Sequence, residues 1–295
     1  MHIVVLSRNA KLYSTSRLVE AIEDEGHIAT VLDHLKCDII SEQDNPCILY
    51  RGTKVTGVDA VIPRIGSSVT FYGSAVVRQF EMMKVFSTVE SQALVRSRDK
   101  LRSLQILARS GVGMPKTVFT NDSTEVRKII ELVGGPPLIV KLLEGTQGVG
   151  VILAPTFQAA ESIIQAFHSM ETRVIVQEYI EEAKGEDIRA FVVDGKVVGA
   201  MKRKGKEGEF RSNLHRGGSG SLIELSAEER KTALIAAESM GVSVAGVDML
   251  QSSRGPLALE VNSSPGLQGI EAATGKNIAG EIVAFIKRSI NGPHS

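Results

Sequence analysis

Asp248, Glu260 and Asn262 carry oxygen donors within or at the end of two apolar runs, residues 244–250 and 257–261, that flank the turn Gln251-Ser252-Ser253-Arg254-Gly255-Pro256. Apolar runs around such a turn predict two antiparallel strands. Side chains alternate faces along a strand. Val247 and Met249, then Leu257, Leu259 and Val261, are therefore expected on one face, with Asp248, Glu260 and Asn262 on the other. If Gln251 faces Leu257, Asp248 lies opposite Glu260. Facing carboxylates repel, and burying them unpaired is costly. A divalent cation removes both problems, and hard oxygen donors suit magnesium or manganese. Taken alone, the pattern fits a solvated acidic face equally well.

A second group surrounds Glu144-Gly145-Thr146-Gln147-Gly148-Val149-Gly150, between two expected strands. It lacks the Gly-Lys-Ser/Thr and following helix of a P-loop. A glycine-rich strand-loop-strand can cover a triphosphate with its amides; it can equally be a flexible turn. Lys141 stands in the otherwise apolar Leu138-Ile-Val-Lys-Leu-Leu143, where a lysine is rarely buried without a partner. Beside the glycine loop it suits a phosphate. Lys100, on an expected helix, is either a second such cation or a solvated lysine.

The strand 173–178 ends in Glu178-Tyr179, where backbone groups could meet a nucleotide base and the carboxylate of Glu178 or Asp187 a ribose hydroxyl. Each carboxylate also fits a surface charge. The segment 201–218 carries six Lys or Arg against two Glu, with Phe210 its one aromatic residue. It reads as a solvated loop, or as a site for phosphate oxygens or an acidic peptide tail.

These groups need elements to position them. Residues 2–7, 28–33 and 59–63 predict strands, and 14–25 and 70–83 helices, the alternation of a parallel sheet covered on both faces. Gly66, Ser67 and Ser68 follow such a strand, where these sheets often bind ligands. One long helix is expected over 91–110, ending at Gly111. Strands follow at 138–143, 151–154 and 173–178, with a helix near 157–169. Asp194-Gly195 marks a hairpin joining 187–193 to 196–201, and helices are expected at 227–240 and 278–290.

Lys plus Arg and Asp plus Glu both number 34, so no global field favours nucleic acid or an anionic membrane. Cys37 and Cys47 have no CxxC spacing and read as reduced thiols. With no signal-peptide pattern and no apolar run of membrane-spanning length, a cytoplasmic protein without membrane contact is expected.

The ordered set Pro63-Arg64-Ile65-Gly66, Arg98-Asp99-Lys100, Glu144-Gly145-Thr146-Gln147-Gly148, Phe210-Arg211-Ser212-Asn213-Leu214-His215-Arg216-Gly217-Gly218 and Glu260-Val261-Asn262-Ser263-Ser264-Pro265-Gly266 resembles the RimK family of ATP-grasp ligases over nearly the whole chain. Ser263-Ser264 stands where relatives often have Asn or Ala before Ser. The resemblance implies a mixed α/β and α+β protein. An N-terminal parallel α/β (pre-ATP-grasp) domain, residues 1–95, would precede an ATP-grasp domain at 96–290. That domain would comprise a small lobe at 96–175 with the glycine loop and a metal-binding lobe at 176–290.

The resemblance further implies that Lys100 and Lys141 hold phosphates under a loop containing Gly145, Gln147 and Gly148. Glu178, Tyr179 and Asp187 would take adenine and ribose, Arg211, Ser212 and Asn213 would line the phosphate end, and Asp248, Glu260 and Asn262 would hold two Mg2+ or Mn2+ ions. Arg203 and Arg211 would stabilise an acyl phosphate; His215 has no proton-transfer role. The implied activity is ATP-dependent addition of free glutamate to the acidic C-terminal tail of a small-subunit ribosomal protein, by a homo-oligomer that does not bind nucleic acid directly. Two other functions share much of this pattern: a ligase of small amino acids or carrier proteins, and a non-catalytic nucleotide-binding regulator.

Overall fold

The computed structural model describes residues 1–121, 125–143, 150–206, 208–212 and 217–292. Strands β1 (His2–Leu6) and β2 (Ile28–Leu32) enclose helix α1 (Tyr13–Asp24) in sequence. The strands β3 (Cys37–Ile40), β4 (Cys47–Tyr50) and β5 (Thr53–Lys54) form a small antiparallel sheet absent from the sequence expectation. Next come β6 (Ala60–Pro63), α2 (Thr70–Met82) and β7 (Phe86–Ser87). The main sheet of this unit is parallel, in the order β2-β1-β6-β7. Ile3–Leu6 of β1 and Ala60–Pro63 of β6, its central strands, are apolar throughout, as a sheet covered on both faces requires. Cys37 and Cys47 are free and buried.

The helix expected over 91–110 is two helices, α3 (Ser91–Arg98) and α4 (Lys100–Arg109). Asp99 leaves the helical region at φ −83°, ψ 100°, and its carboxylate accepts the Arg102 amide, so it caps α4 rather than continuing α3. Lys100 thereby becomes the first residue of a new helix.

The small lobe consists of β8 (Thr117–Phe119), α5 (Val126–Leu132), β9 (Leu138–Leu142), β10 (Val151–Ala154), α6 (Phe157–Ser169) and β11 (Val174–Glu178). Its antiparallel sheet has the order β10-β9-β11-β8. Leu138, Val140, Val174 and Val176 pack under α5 and α6 in a core of their own. By alternation, Ile139, Lys141 and Gln177 point to the other face.

The large lobe comprises β12 (Glu186–Val193), β13 (Lys196–Lys204), β14 (Ser219–Leu222), α7 (Ala227–Ser239), β15 (Val244–Ser252), β16 (Gly255–Asn262), α8 (Gln268–Thr274) and α9 (Ile278–Asn291). Its sheet runs β14-β13-β12-β15-β16. Asp194 and Gly195 turn the β12–β13 hairpin with φ 51° and 67°, the left-handed pair such a two-residue turn requires. This lobe and the N-terminal unit share one hydrophobic core. Phe86 meets Phe285 edge-on at 5.5 Å, and Arg17 of α1 reaches Glu271 of α8. Among the described residues no helix is long and apolar enough to cross a membrane.

The β15–β16 hairpin corrects the expected register. Gln251 pairs with Pro256 and Leu250 with Leu257, one residue off the expectation, yet Asp248 does pair with Glu260. A bulge at Leu259 between the Met249–Ala258 and Asp248–Glu260 pairs absorbs the difference. The extra residue also resets the alternation. Ala258 and Val261 enter the main core beside Val247 and Met249, while Leu257 turns the other way and packs with Leu250, Ile180 and Ala183. Leu257 therefore does not share a face with Val261.

Candidate nucleotide and metal site

Register places Asp187, Arg189, Arg203, Asp248 and Glu260 of the large lobe on one face of its sheet. Asp187 pairs with Arg203, Arg189 with Asp248, and Asp248 with Glu260, across four adjacent strands. Arg203 donates through Nε and Nη2 to both Asp187 oxygens at 2.6 and 2.5 Å, and its Nη2 lies 2.8 Å from Asp248. Arg189 donates to both Asp248 oxygens at 2.6 Å. Alternating charge makes this buried ladder tolerable, because each ion has an opposite, hydrogen-bonded neighbour. Burial opposes the charged form of Asp248, but Arg189 and Arg203 overcome it and hold its carboxyl well below the usual range. Burial likewise opposes the Arg203 charge, and Asp248 and Asp187 outweigh it, so its pKa is raised.

At the end of the ladder Glu260 reaches solvent, and its Oε1 accepts from Asn262 Nδ2 at 2.8 Å. The protein packed around it and the facing Asp248 push its carboxyl up. Among the described residues no group of three or more His, Cys, Asp or Glu is disposed to hold a metal. The donor set here is instead two facing carboxylates and one amide. It fits a hard divalent cation: the repulsion felt by Glu260 is what such an ion would relieve. An amide oxygen can replace the Asn262 nitrogen by rotation about its side chain.

Above this floor, Lys141 of β9 donates from Nζ to Gln177 Oε1 at 2.6 Å, and Gln177 Nε2 donates to Thr117 Oγ1 at 2.8 Å. Burial pushes the Lys141 ammonium down to about 8; Glu260 opposes that shift and Lys100 adds to it. Lys100 donates to the Leu142 carbonyl at 2.8 Å, and burial lowers its pKa too, again opposed by Glu260. Lys100, Lys141 and Glu260 thus come from three segments and share one electrostatic neighbourhood. Gln177 was not singled out from sequence. Its signal was its place two residues from Ile175 on the open face of an apolar strand.

The strand-end residue Glu178 accepts from the Lys116 amide at 2.6 Å and from Arg254 Nη2 at 2.5 Å, tying β8 and β11 to the β15–β16 turn. Tyr179 follows, half-buried, and the next residue, Ile180, packs with Ala183, Leu250 and Leu257. Asp187 is buried, with both oxygens on Arg203 and a further hydrogen bond from Ser212.

Among its described residues the basic segment divides its cations between two faces of the sheet. Arg203 lies on the floor, while Lys202 and Lys204 turn to the opposite face of β13 and both engage Glu186. Arg211 pairs with Glu209 and reaches the Val151 carbonyl of β10 at 3.4 Å, so it links the lobes. Gly145, Gln147, Gly148, Asn213, His215 and Arg216 lie outside the described residues. Arg189 is a further charged residue of the floor. It could have been found from Asp187-Ile-Arg189, which puts two opposite charges on one face of an otherwise apolar strand.

A family model described as RimK-like ATP-grasp domain matches residues 97–286, and one described as RimK PreATP-grasp domain matches residues 1–94. A protein of Vibrio cholerae named probable alpha-L-glutamate ligase is 59% identical over 289 residues, covering 98% of this chain and 96% of that one. Its namesake in Pseudoalteromonas translucida is 60% identical with the same coverage. Among solved structures, the ATP-grasp ligase PsnB, complexed with a phosphomimetic variant of its minimal precursor, Mg and ADP, superposes with a TM-score of 0.75 at 21% identity, covering 97% of each chain.

Proposed function

The chain belongs to the RimK family of ATP-grasp proteins, and on that premise we propose that it joins the amine of glutamate to the C-terminal glutamate of a small-subunit ribosomal protein, using ATP and an acyl phosphate. The observation carrying this reading is the convergence of two cations, Lys100 and Lys141, on the oxygen donors Asp248, Glu260 and Asn262. Cations facing a carboxylate pair across a cleft suit a metal-bound triphosphate and little else. The names of the curated relatives support the ligase reading, and the ADP and Mg of PsnB support the nucleotide and metal.

In this reading the acceptor carboxylate oxygen attacks the γ-phosphorus and ADP departs. The glutamate nitrogen then attacks the acyl carbon, and phosphate departs with the amide formed and one amine proton released. A bound Mg2+ or Mn2+, singly or as a pair, would neutralise charge on the β- and γ-phosphates. Lys141, fixed by Gln177, and Lys100, fixed by the Leu142 carbonyl, orient the phosphates. Glu178 and Tyr179 border the base and ribose, with Asp187 holding Arg203 beneath them. Arg203 and Arg189 keep Asp248 ionised and in place. Arg211 and Ser212 approach the phosphate end from the loop that bridges the lobes.

Incubation with ATP, magnesium, radiolabelled glutamate and peptides ending in Glu-Glu tests the proposal. Label entering the peptide with stoichiometric ADP supports it. Label joined only to small amino acids would instead favour a small-molecule ligase, and nucleotide binding without ADP release a regulator.

A further inference from the structure

Most arginines of the described structure that approach the site are matched by carboxylates: Arg189 and Arg203 by Asp248, Arg211 by Glu209, Arg254 by Glu178. Arg64 and Arg98 are different. Arg64 follows β6, where its amide extends the parallel pairing by donating to the Leu6 carbonyl. Arg98 ends α3 and donates from Nη2 to the Ile65 carbonyl at 2.6 Å, which brings it against the same turn. Among the described residues neither forms an ion pair, and the Arg98 Nε is buried without a hydrogen-bond partner. Burial lowers the Arg64 guanidinium to about 10, and the like charge of Arg98 adds to the effect. Two adjacent, poorly solvated cations with no carboxylate in contact are costly, and a carboxylate placed between them removes the cost.

The surroundings show which way the pair faces. A Cβ built on Gly66 would lie 3.7 Å from Arg8 Nη2, so exposed Arg8, following β1, overhangs the same turn. The loop after β16 closes the other side: Ser264 Oγ donates to the Pro63 carbonyl at 3.3 Å, and Ser97 donates to Ser263 at 2.7 Å. Glu260, two residues before that loop at Asn262, acts electrostatically on Arg98. The arginines therefore stand at the carboxyl ends of parallel strands, where such sheets take ligands. They adjoin the Glu260 end of the nucleotide site, since Glu260 acts electrostatically on Arg98 as it does on the phosphate lysines.

Resting on the ligase reading above, we propose that Arg64 and Arg98 are the receptor for a glutamate carboxylate, with Arg8 at its mouth. The planar guanidinium forks read a carboxylate bidentately, as a lysine point charge cannot. The same chemistry could come from the free amino acid or from the terminal glutamate of the acceptor. Either source explains why this site is built of arginine while the phosphate side is built of lysine.

Steady-state ADP release by the full chain is measured with ATP, Mg2+, free L-glutamate and a peptide ending in Glu-Glu, for native protein, Arg64→Gln and Arg64→Lys. Arg64→Gln is expected to raise the KM of one carboxylate substrate by about tenfold or more, with Arg64→Lys between it and native, and the KM for ATP unchanged. A rise for L-glutamate assigns the site to the amino acid; a rise for the peptide assigns it to the acceptor. Removing a repelling cation should leave the melting temperature equal or higher. If Arg64→Gln fails to fold, the same split is read from Arg64→Lys. Unchanged KM values for both carboxylate substrates, or a parallel rise for ATP, would overturn the proposal while leaving the ligase reading intact. A native protein that releases no glutamate-dependent ADP overturns the ligase reading, and this assignment falls with it.

Discussion

Raising the pH above 8 should weaken nucleotide binding through one identifiable side chain. Lys141 is held at about 8 against an ordinary lysine value of 10.5, with burial the leading cause. If only the ammonium form binds phosphate, the apparent Kd scales with the inverse of the charged fraction. That fraction is about 0.9 at pH 7, half at pH 8 and about 0.1 at pH 9, which predicts a weakening of about tenfold between pH 7 and 9. Binding must also take up a proton, about half an equivalent at pH 8. Calorimetry with a non-hydrolysable ATP analogue and Mg2+, in buffers of different ionisation enthalpy, reads both quantities. Lys141→Arg is the control, since its charge persists through this range. Lys100, also lowered, contributes to both profiles, so their difference isolates Lys141. The same shift has a defined stability sign. Between pH 8 and 10.5 the unfolded chain binds more protons at this position than the folded one, so its contribution makes the native protein more stable as pH rises. A native profile flat from pH 7 to 9, or an equal slope in Lys141→Arg, would refute the reasoning.

Glu260→Gln removes a carboxylate that faces Asp248, so the metal-free melting temperature should hold or rise while ADP release is lost; loss of folding with activity per folded molecule retained would make Glu260 structural. Arg203→Ala leaves Asp187 without its bidentate partner and Asp248 with Arg189 alone. Denaturant unfolding should show a loss of roughly 3–5 kcal/mol that salt does little to change, and a surface-like loss below about 1 kcal/mol would contradict the buried ladder. Gln177→Leu should raise the KM for ATP more than that for glutamate, because Lys141 loses the acceptor that fixes it; equal effects on both would remove Gln177 from the phosphate site. Lys54→Ala, on exposed β5, should leave every constant unchanged, and a change in the ATP constant alone would show the N-terminal unit reaching the nucleotide.

What the sequence made legible were features with a short period or a fixed local chemistry. The strand 151–154 and the helix 157–169 were bounded by their own apolar spacing, and Asp194-Gly195 by the left-handed conformations its turn needs. The facing of Asp248 and Glu260 was anticipated through a register that proved one residue off, because a bulge leaves no composition signal when the inserted residue is another leucine. The break at Asp99 was hidden for a related reason: the apolar periodicity runs through it, and only the capping geometry ends one helix and begins the next. Within residues 201–218, strand alternation divides the charges that a count along the chain adds together. Lys202 and Lys204 leave β13 on the face opposite Arg203, and their counter-charges Glu186, Asp187 and Asp248 come from other strands. A charge count along the chain cannot see partners supplied across a sheet.

That last point bears on how the molecule divides its labour. The N-terminal unit and the large lobe share a core, so the acidic floor and Arg64 belong to one packed body, whereas Lys141 rides on a small lobe with a core of its own. Connections between them run through a few polar contacts: Lys100 to the Leu142 carbonyl, Arg211 to the Val151 carbonyl, and Glu178 to Arg254. Such contacts are individually worth about 1–3 kcal/mol and exchange readily with water, unlike an interdigitated core. All three involve residues placed at the proposed phosphate, base and ribose positions. A nucleotide that replaced these contacts with its own would change the registration of the lobes at small cost. The proposed carboxylate receptor, by contrast, is built within the larger body, so its geometry is expected to be independent of the registration of the small lobe.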